Sequence, residues 1–303
     1  MAIGKYIKEI GRGKDGARSL SREQAADMFG QILDGAVSDL EIGAFCLAMR
    51  IKGESPMELA GFLDATHQRL QCVPGTTGKP TVVIPSYNGA RKLPLLTPLL
   101  ALLIARERLP VLVHGVATES TRIFTSEVFA ALGIPAQHQV ETVNTGSVAF
   151  FPTSLLCAGL QRLLDVRKVV GLRNSAHSLV KLMIPVEGPS ILVTSYTHPE
   201  YAVSMAQAIE LMKSTALLLR GTEGEAVADP RRAPKFQCYL RGDATAPVEH
   251  QAGPLLELPE LPQSIDAGST ASYIRAVLDG KLPVPSPIAQ QVAYILHLAA
   301  DVQ

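Results

Sequence analysis

The chain contains no tryptophan, and aromatic residues make up only 5% of its 303 positions. That scarcity excludes a surface built chiefly on ring stacking against flat ligands. Cysteine is scarce as well. Cys46, Cys72, Cys157 and Cys238 lie far apart, with no CxxC and no histidine at a ligand spacing, so neither a zinc site nor a disulfide framework is signalled. Buried or half-buried thiols are expected instead. Charge of one sign is not in excess: Lys+Arg and Asp+Glu both number 28, and the pI is near 7.1. This argues against a molecule that is basic over its whole surface, but net charge does not describe distribution, and a local basic groove stays open. Long hydrophobic runs are missing too. The longest, residues 93–105, is too short for a membrane span and carries Pro94, Pro98 and Thr97. The opening residues MAIGKYIKEIGRGKDG lack the apolar centre of a signal peptide, so the chain is expected to be soluble, globular and cytoplasmic.

What is present is enough apolar material, 47% of residues against 18% charged, for a large core in one or two closely packed domains. Three successive segments carry complete helix punctuation. Ser21 with Gln24 forms a capping box ahead of Ala25, Met28, Phe29, Ile32 and Leu33, and Gly35 ends the run. Ser38 with Glu41 does the same before Ile42, Phe45, Leu47 and Ile51, closed by Gly53. Ser55-Pro56 and Glu58 open a third helix. The first 70 or so residues therefore read as a small helical unit. After Pro74-Gly75-Thr76-Thr77-Gly78 the pattern becomes apolar runs of strand length, 81–85, 111–115, 148–152, 191–196 and 216–221. Helical segments near 93–108, 125–132, 155–165, 175–183 and 199–213 lie between them. Continuous apolar strands alternating with helices predict a largely parallel sheet covered on both faces. The tail has a strand-like KFQCYL and predicted helices at 270–279 and 286–300.

Between the first strand and the following helix lies IPSYNGARKLP, residues 84–94. Loops in this position bind phosphate in many open α/β proteins, yet this one has one glycine and two cations.

The run Gly43-Ala44-Phe45, Leu47-Ala48, Arg50, Lys52-Gly53-Glu54-Ser55 resembles the amino-terminal helical domain of anthranilate phosphoribosyltransferases. His114-Gly115 falls on that family's Lys-His-Gly-Asn, Ser120-Thr121-Arg122 on its Ser-Ser-Lys, and Val170-Gly171-Leu172-Arg173 on its Leu-Gly-Val-Arg. Pro185 falls on the proline ending Leu-Leu-Asn-Pro, so the resemblance covers most of residues 1–225. It implies an α/β fold with a small helical domain, residues 1–72 with roughly 166–188 joining it. Residues 73–165 and 189–303 would form the larger α/β domain, with a mostly parallel central sheet and a site in the hinge cleft. It also implies a homodimer formed through the helical domain.

Phosphoribosyl transfer in that family uses a Gly-Thr-Gly-Gly-Asp cradle and Mg²⁺ carboxylates. The ungapped register puts Pro85-Ser86-Tyr87-Asn88-Gly89 at the cradle, Leu95 and Val116 at two polar positions, and Ala226-Val227 at the Asp-Glu pair. Proline has no N–H, and alanine and valine cannot hold a hard cation. Cations are gained at Arg91, Lys92 and Lys181, while Arg122 and Arg173 are kept and His177 replaces an asparagine. These changes resemble the YbiB-type branch, which keeps the fold, lacks the transferase reaction and binds nucleic acid with little sequence preference. The expected ligand is thus DNA or RNA, with no cofactor, metal or catalytic residue. Expected phosphate contacts are Asn88, Gly89, Arg91, Lys92, His114, Ser120, Thr121, Arg122, Arg173, His177 and Lys181, with Arg231, Arg232 and Lys235 as a second basic patch.

Each assignment has a plainer counterpart. Arg91 and Lys92 could be solvated residues ahead of a helix, Ser120-Thr121-Arg122 a helix cap, Arg173 part of a structural ion pair and Lys181 a snorkelling side chain. His114 reads as a structural histidine, and Arg231-Arg232 as a solvated loop. Tyr87 is a candidate for stacking on a base. Two other functions stand beside nucleic-acid binding. One is a phosphoribosyltransferase in which Arg173 holds an anionic acceptor and Glu223 or Glu225 salvages Mg²⁺. The other is a scaffold whose helical domain docks a protein.

Overall fold

A computed structural model describes residues 3–13, 15–245 and 253–302. The chain divides into two compact units, Met1–Gln71 with Thr153–Pro185, and Cys72–Pro152 with Val186–Gln303.

The first unit is helical. It contains α1 (Gly4–Ile10), α2 (Arg22–Leu33), α3 (Asp39–Lys52) and α4 (Pro56–His67), and later α7 (Thr153–Leu156), α8 (Ala158–Val170) and α9 (Ala176–Leu179). The three capping boxes form as expected, with Ser21, Ser38 and Ser55 each accepting the N–H of the residue three positions on. Phe29, Phe45 and Phe62, all fully buried, meet at the centre, the first and last stacked at 4.6 Å. The short α1 has no cap signal to announce it, since Ile3 stands at its N-cap without a side-chain bond.

The later segment that joins this unit begins at Thr153, not near 166. The reason is a close approach of backbone. A Cβ on Gly159 would lie 2.2 Å from the Leu33 carbonyl oxygen, and Arg162 donates to that same oxygen at 2.8 Å. These contacts fix the start of α8 to the end of α2.

The second unit is α/β. Its strands are β1 (Thr81–Ser86), β2 (Val111–Gly115), β3 (Val148–Pro152), β4 (Ser190–Tyr196), β5 (Ala216–Arg220), β6 (Arg232–Ala233), β7 (Phe236–Leu240), β8 (Asp243–Ala244) and β9 (Gly253–Pro254). Its helices are α5 (Thr97–Arg106), α6 (Thr125–Leu132), α10 (Pro199–Leu211), α11 (Ala267–Leu278) and α12 (Ser286–Asp301). The main sheet has the order β3-β2-β1-β4-β5-β7-β8, parallel from β3 to β5 and antiparallel beyond, while β6 pairs with β9. Every residue of β1 and β2 is buried, as continuous apolar strands predict.

Helix α5 starts at Thr97, four residues later than expected. Pro94 biases its predecessor away from helical backbone, and the N–H of Leu93 is already bonded to Glu223. Among the described residues no helix is long and apolar enough to cross a membrane.

A buried ionic joint lies within the helical unit. Glu58 is fully buried and accepts from the N–H groups of Leu20 (3.0 Å) and Ser55 (2.8 Å) and from Lys52 Nζ (2.6 Å). Removing the carboxylate leaves a nearly buried ammonium and two donors without an acceptor. Glu58→Ala is expected to cost about 3–5 kcal/mol in urea denaturation followed by far-ultraviolet circular dichroism, and adding Lys52→Met should recover part of that loss.

Candidate functional site

The strand order fixes where this sheet can hold a ligand. The chain runs outward from β1 through β2 to β3, then returns to place β4 on the other side of β1. Open α/β sheets bind ligands outside the carboxyl ends of the strands at such a reversal. The loop 87–96, between β1 and α5, leaves the sheet at that point.

Its backbone donors are already engaged. The N–H groups of Asn88 and Gly89 donate to Glu225 Oε1 at 2.7 and 2.8 Å. Ser86 Oγ and Thr97 Oγ1 donate to Glu225 Oε2, the second at 3.2 Å. The N–H groups of Arg91, Lys92 and Leu93 converge on Glu223 Oε2 at 2.9, 3.0 and 3.2 Å. Two carboxylates from the turn after β5 thus occupy a loop of oriented N–H dipoles. Glu225 is 1% exposed, whereas Glu223 is half-exposed.

The turn is held tightly against the loop. Asn88 Nδ2 donates to the Glu223 carbonyl at 3.1 Å, and Ser195 Oγ donates to the Gly224 carbonyl at 2.9 Å. Gly224 has φ 88°, and a Cβ there would come within 1.7 Å of Asn88 Nδ2. Glu223 itself takes φ 53°, a left-handed backbone unusual for a residue with a side chain. Behind the turn, buried Gln291 accepts from the Ala228 N–H at 2.8 Å and donates to the Ala226 carbonyl at 2.9 Å.

The expected contact residues fall into three groups. Arg91, Lys92, Ser120, Thr121, Arg232 and Lys235 have exposed side chains on the α/β unit. Asn88, Gly89, His114, Arg122 and Arg231 are committed elsewhere. The first two give their N–H groups to Glu225. His114 is fully buried, with Nδ1 2.8 Å from the Tyr87 hydroxyl. Arg122 pairs with Glu119 at 3.3 Å and donates to the Asn88 carbonyl at 3.1 Å. Arg231 grips Asp229 through Nε and Nη2 at 3.0 and 2.9 Å.

Ser120-Thr121-Arg122 do not begin a helix, because α6 starts only at Thr125. Tyr87 is not available for stacking on a base, being 4% exposed with its ring edge-on to His114.

The third group, on the helical unit, is Arg173, His177 and Lys181, all half-buried. Burial and the charges of Arg173 and Arg167 push His177 down to about 4. It is therefore a neutral group at physiological pH and adds no positive charge.

What sequence reasoning missed is the role of Glu223 and Glu225, which it treated as spare metal ligands. They lie 130 or more residues from the N–H groups they bind, so no local spacing announces the pairing. The available signal was compositional: two acidic residues in a turn of small buried residues, opposite a loop rich in N–H groups. Among the described residues, no group of three or more His, Cys, Asp or Glu side chains is arranged to hold a metal ion.

The fold and site can be set beside known proteins. Residues 5–69 match the model of the glycosyl transferase family helical bundle domain. The chain is 40% identical over 298 residues to the uncharacterized protein YbiB of Escherichia coli strain K12, covering 96% of this chain and 92% of that one. It is 33% identical over 191 residues to an anthranilate phosphoribosyltransferase of Methanosarcina acetivorans, covering 59% of this chain and 49% of the enzyme. The crystal structure of anthranilate phosphoribosyltransferase from Thermus thermophilus superposes with a TM-score of 0.74 at 21% identity, covering 98% of this chain and 88% of that one. The chain belongs to the anthranilate phosphoribosyltransferase-like family, in its YbiB-type branch.

Proposed function

We propose that this chain is a non-catalytic protein that binds DNA or RNA with little sequence preference, through basic side chains carried on both units. The observation that carries the reading is the filled loop. Mg²⁺-pyrophosphate does not fit there, because the donors that would receive its oxygens already bond Glu225 and Glu223. A polyanion at the same N–H groups would meet the buried carboxylate of Glu225 and would have to displace that of Glu223. Ala226 and Val227, at the position of the family's metal carboxylates, are buried and apolar. Meanwhile the side chains of Arg91 and Lys92 project from the loop, exposed and available to phosphates along a strand.

The phosphoribosyltransferase reading needs Glu223 or Glu225 as a metal ligand, and Glu225 in particular accepts four hydrogen bonds in a buried position. Titration of the protein with phosphoribosyl pyrophosphate in a calorimeter is expected to give no binding heat that depends on Mg²⁺. Saturable Mg²⁺-dependent binding would favour the enzyme.

Nucleic-acid binding is tested by titrating labelled single-stranded and double-stranded oligonucleotides at two salt concentrations. Affinity is expected to fall steeply with salt. Arg91→Ala with Lys92→Ala, and separately Arg173→Ala with Lys181→Ala, should weaken binding and flatten the slope of log K against log salt by about one per lost phosphate contact. Wild-type affinity in both double variants would remove the assignment.

We also propose a homodimer formed through the helical unit. On α3, Leu40, Leu47 and Ile51 are 83%, 50% and 58% exposed and lie on one stripe with Ala44, at the 4-3-4 spacing of a helix face that packs on a second helix. A second copy of the chain is the occupant that spacing suits. Leu47→Glu with Ile51→Glu should convert a dimer to a monomer by light scattering after gel filtration; an unchanged mass would place the interface elsewhere.

A further inference from the structure

The two carboxylates in the loop are not equivalent, and the difference points to a site that the chain keeps closed with its own side chain. Glu225 is inside the protein and belongs to its core. Glu223 reaches its three donors from a half-exposed position, and it does so from a left-handed backbone conformation at φ 53° and ψ 20°. All three donors, the N–H groups of Arg91, Lys92 and Leu93, converge on a single oxygen of that carboxylate. Convergent N–H groups of this kind receive a phosphate oxygen as readily as a carboxylate oxygen. The surroundings favour an anion beyond the one already present. The Arg91 and Lys92 side chains are exposed at the same residues, and Arg231 feels the Glu223 charge in addition to its bond to Asp229.

We propose that Glu223 is an internal competitor for a phosphate group. When its side chain swings out, the N–H groups of 91–93 form a seat for one phosphate, flanked by the Arg91 and Lys92 side chains. The donors stay in place because Glu225 holds the preceding residues of the loop independently, through Asn88 and Gly89. Only a side-chain rotation is required. Glu223 therefore lowers the affinity of the loop for phosphate by the fraction of time it occupies the seat. The proposal rests on the nucleic-acid reading for the source of the phosphate, a strand backbone, but not for the existence of the seat.

The test uses the full-length chain with Glu223→Gln, which removes the charge but leaves an acceptor, and Glu223→Gly, which removes both and relieves the left-handed backbone. Glu107→Gln, an exposed acid at the end of α5, is the control for the loss of one negative charge. Amide resonances of 91–93 are followed by NMR during titration with inorganic phosphate, and oligonucleotide affinity is measured in parallel. The expected order of phosphate response is parent, then Glu223→Gln, then Glu223→Gly, with oligonucleotide affinity rising by about tenfold in the last. Its salt slope should steepen by about 0.9, one additional phosphate contact. Glu107→Gln should change affinity by about twofold or less, since salt screens an exposed charge.

If the amides of 91–93 ignore phosphate in both variants, or if the protein binds an oligonucleotide but the Glu223 variants bind it no more tightly than Glu107→Gln, the proposal is wrong. Amides that respond to phosphate while no variant binds an oligonucleotide would keep the seat and overturn the nucleic-acid reading. Equal oligonucleotide binding by parent and variants, with unmoved amides, would keep that reading and overturn the seat.

Discussion

At the carboxyl ends of its parallel strands the α/β unit depends on a buried carboxylate. Glu225 reaches across the carboxyl ends of the strands to the loop after β1, accepting two backbone N–H groups and two hydroxyls. An ionised carboxylate in a protein interior costs several kcal/mol unless its lone pairs are satisfied, and about four donors is the number that satisfies it. The same bonds answer the loop's own problem, because buried N–H groups at Asn88 and Gly89 need acceptors as much as Glu225 needs donors. Each half would be unstable without the other. Together they fix the position of the turn 221–225, and through it the segment that Gln291 clamps from behind.

That closure determines which charges are left for a ligand. The N–H dipoles of the loop are neutralised from within, and Arg122 is consumed by Glu119 and the loop carbonyls. Arg231 is likewise consumed by Asp229. What faces solvent is therefore side-chain charge on flexible stems, at Arg91, Lys92, Arg232 and Lys235, and not a preorganised backbone cradle. A cradle fixes a single compact anion with defined geometry, whereas separate exposed cations suit a ligand whose charges are repeated along a chain. The overall balance of 28 basic and 28 acidic residues carries no information on this point, because Glu225 is buried and Glu223 is spent on the loop's own N–H groups.

Elements governed by contacts a few residues apart were legible in the sequence. Ser21, Ser38 and Ser55 announce three helices by a pattern that closes within four residues, and the structure forms all three boxes. The apolar runs of β1 and β2 announce a sheet covered on both faces for the same reason of local composition. Helix α1 carries no cap signal, so nothing local announces it. Legibility failed where the deciding contact is remote. The start of α5 is displaced by a bond from Leu93 to Glu223, 130 residues away, and α8 joins the helical unit because Gly159 meets Leu33. At the candidate site the residue types were right in kind, a loop suited to anions and acids suited to cations. Their mutual pairing was invisible, since it requires knowing that β5 ends beside β4 and β4 beside β1.

The two carboxylates differ in what holds them in the loop. Removing Glu225 would strand buried donors, so its place in the loop is bound to the stability of the unit. Glu223 is half-exposed, and water can replace it at the N–H groups of 91–93 at little cost. Its left-handed backbone adds a strain of roughly 1–3 kcal/mol, which the carboxylate contacts and the Asn88 bond to its carbonyl must offset. The two acids, two residues apart, therefore differ in what their removal would expose, buried donors at Asn88 and Gly89 for Glu225 and donors nearer solvent at 91–93 for Glu223. Exposed N–H groups are satisfied by solvent, so the N–H groups of 91–93 do not need Glu223 in the way that those of Asn88 and Gly89 need Glu225.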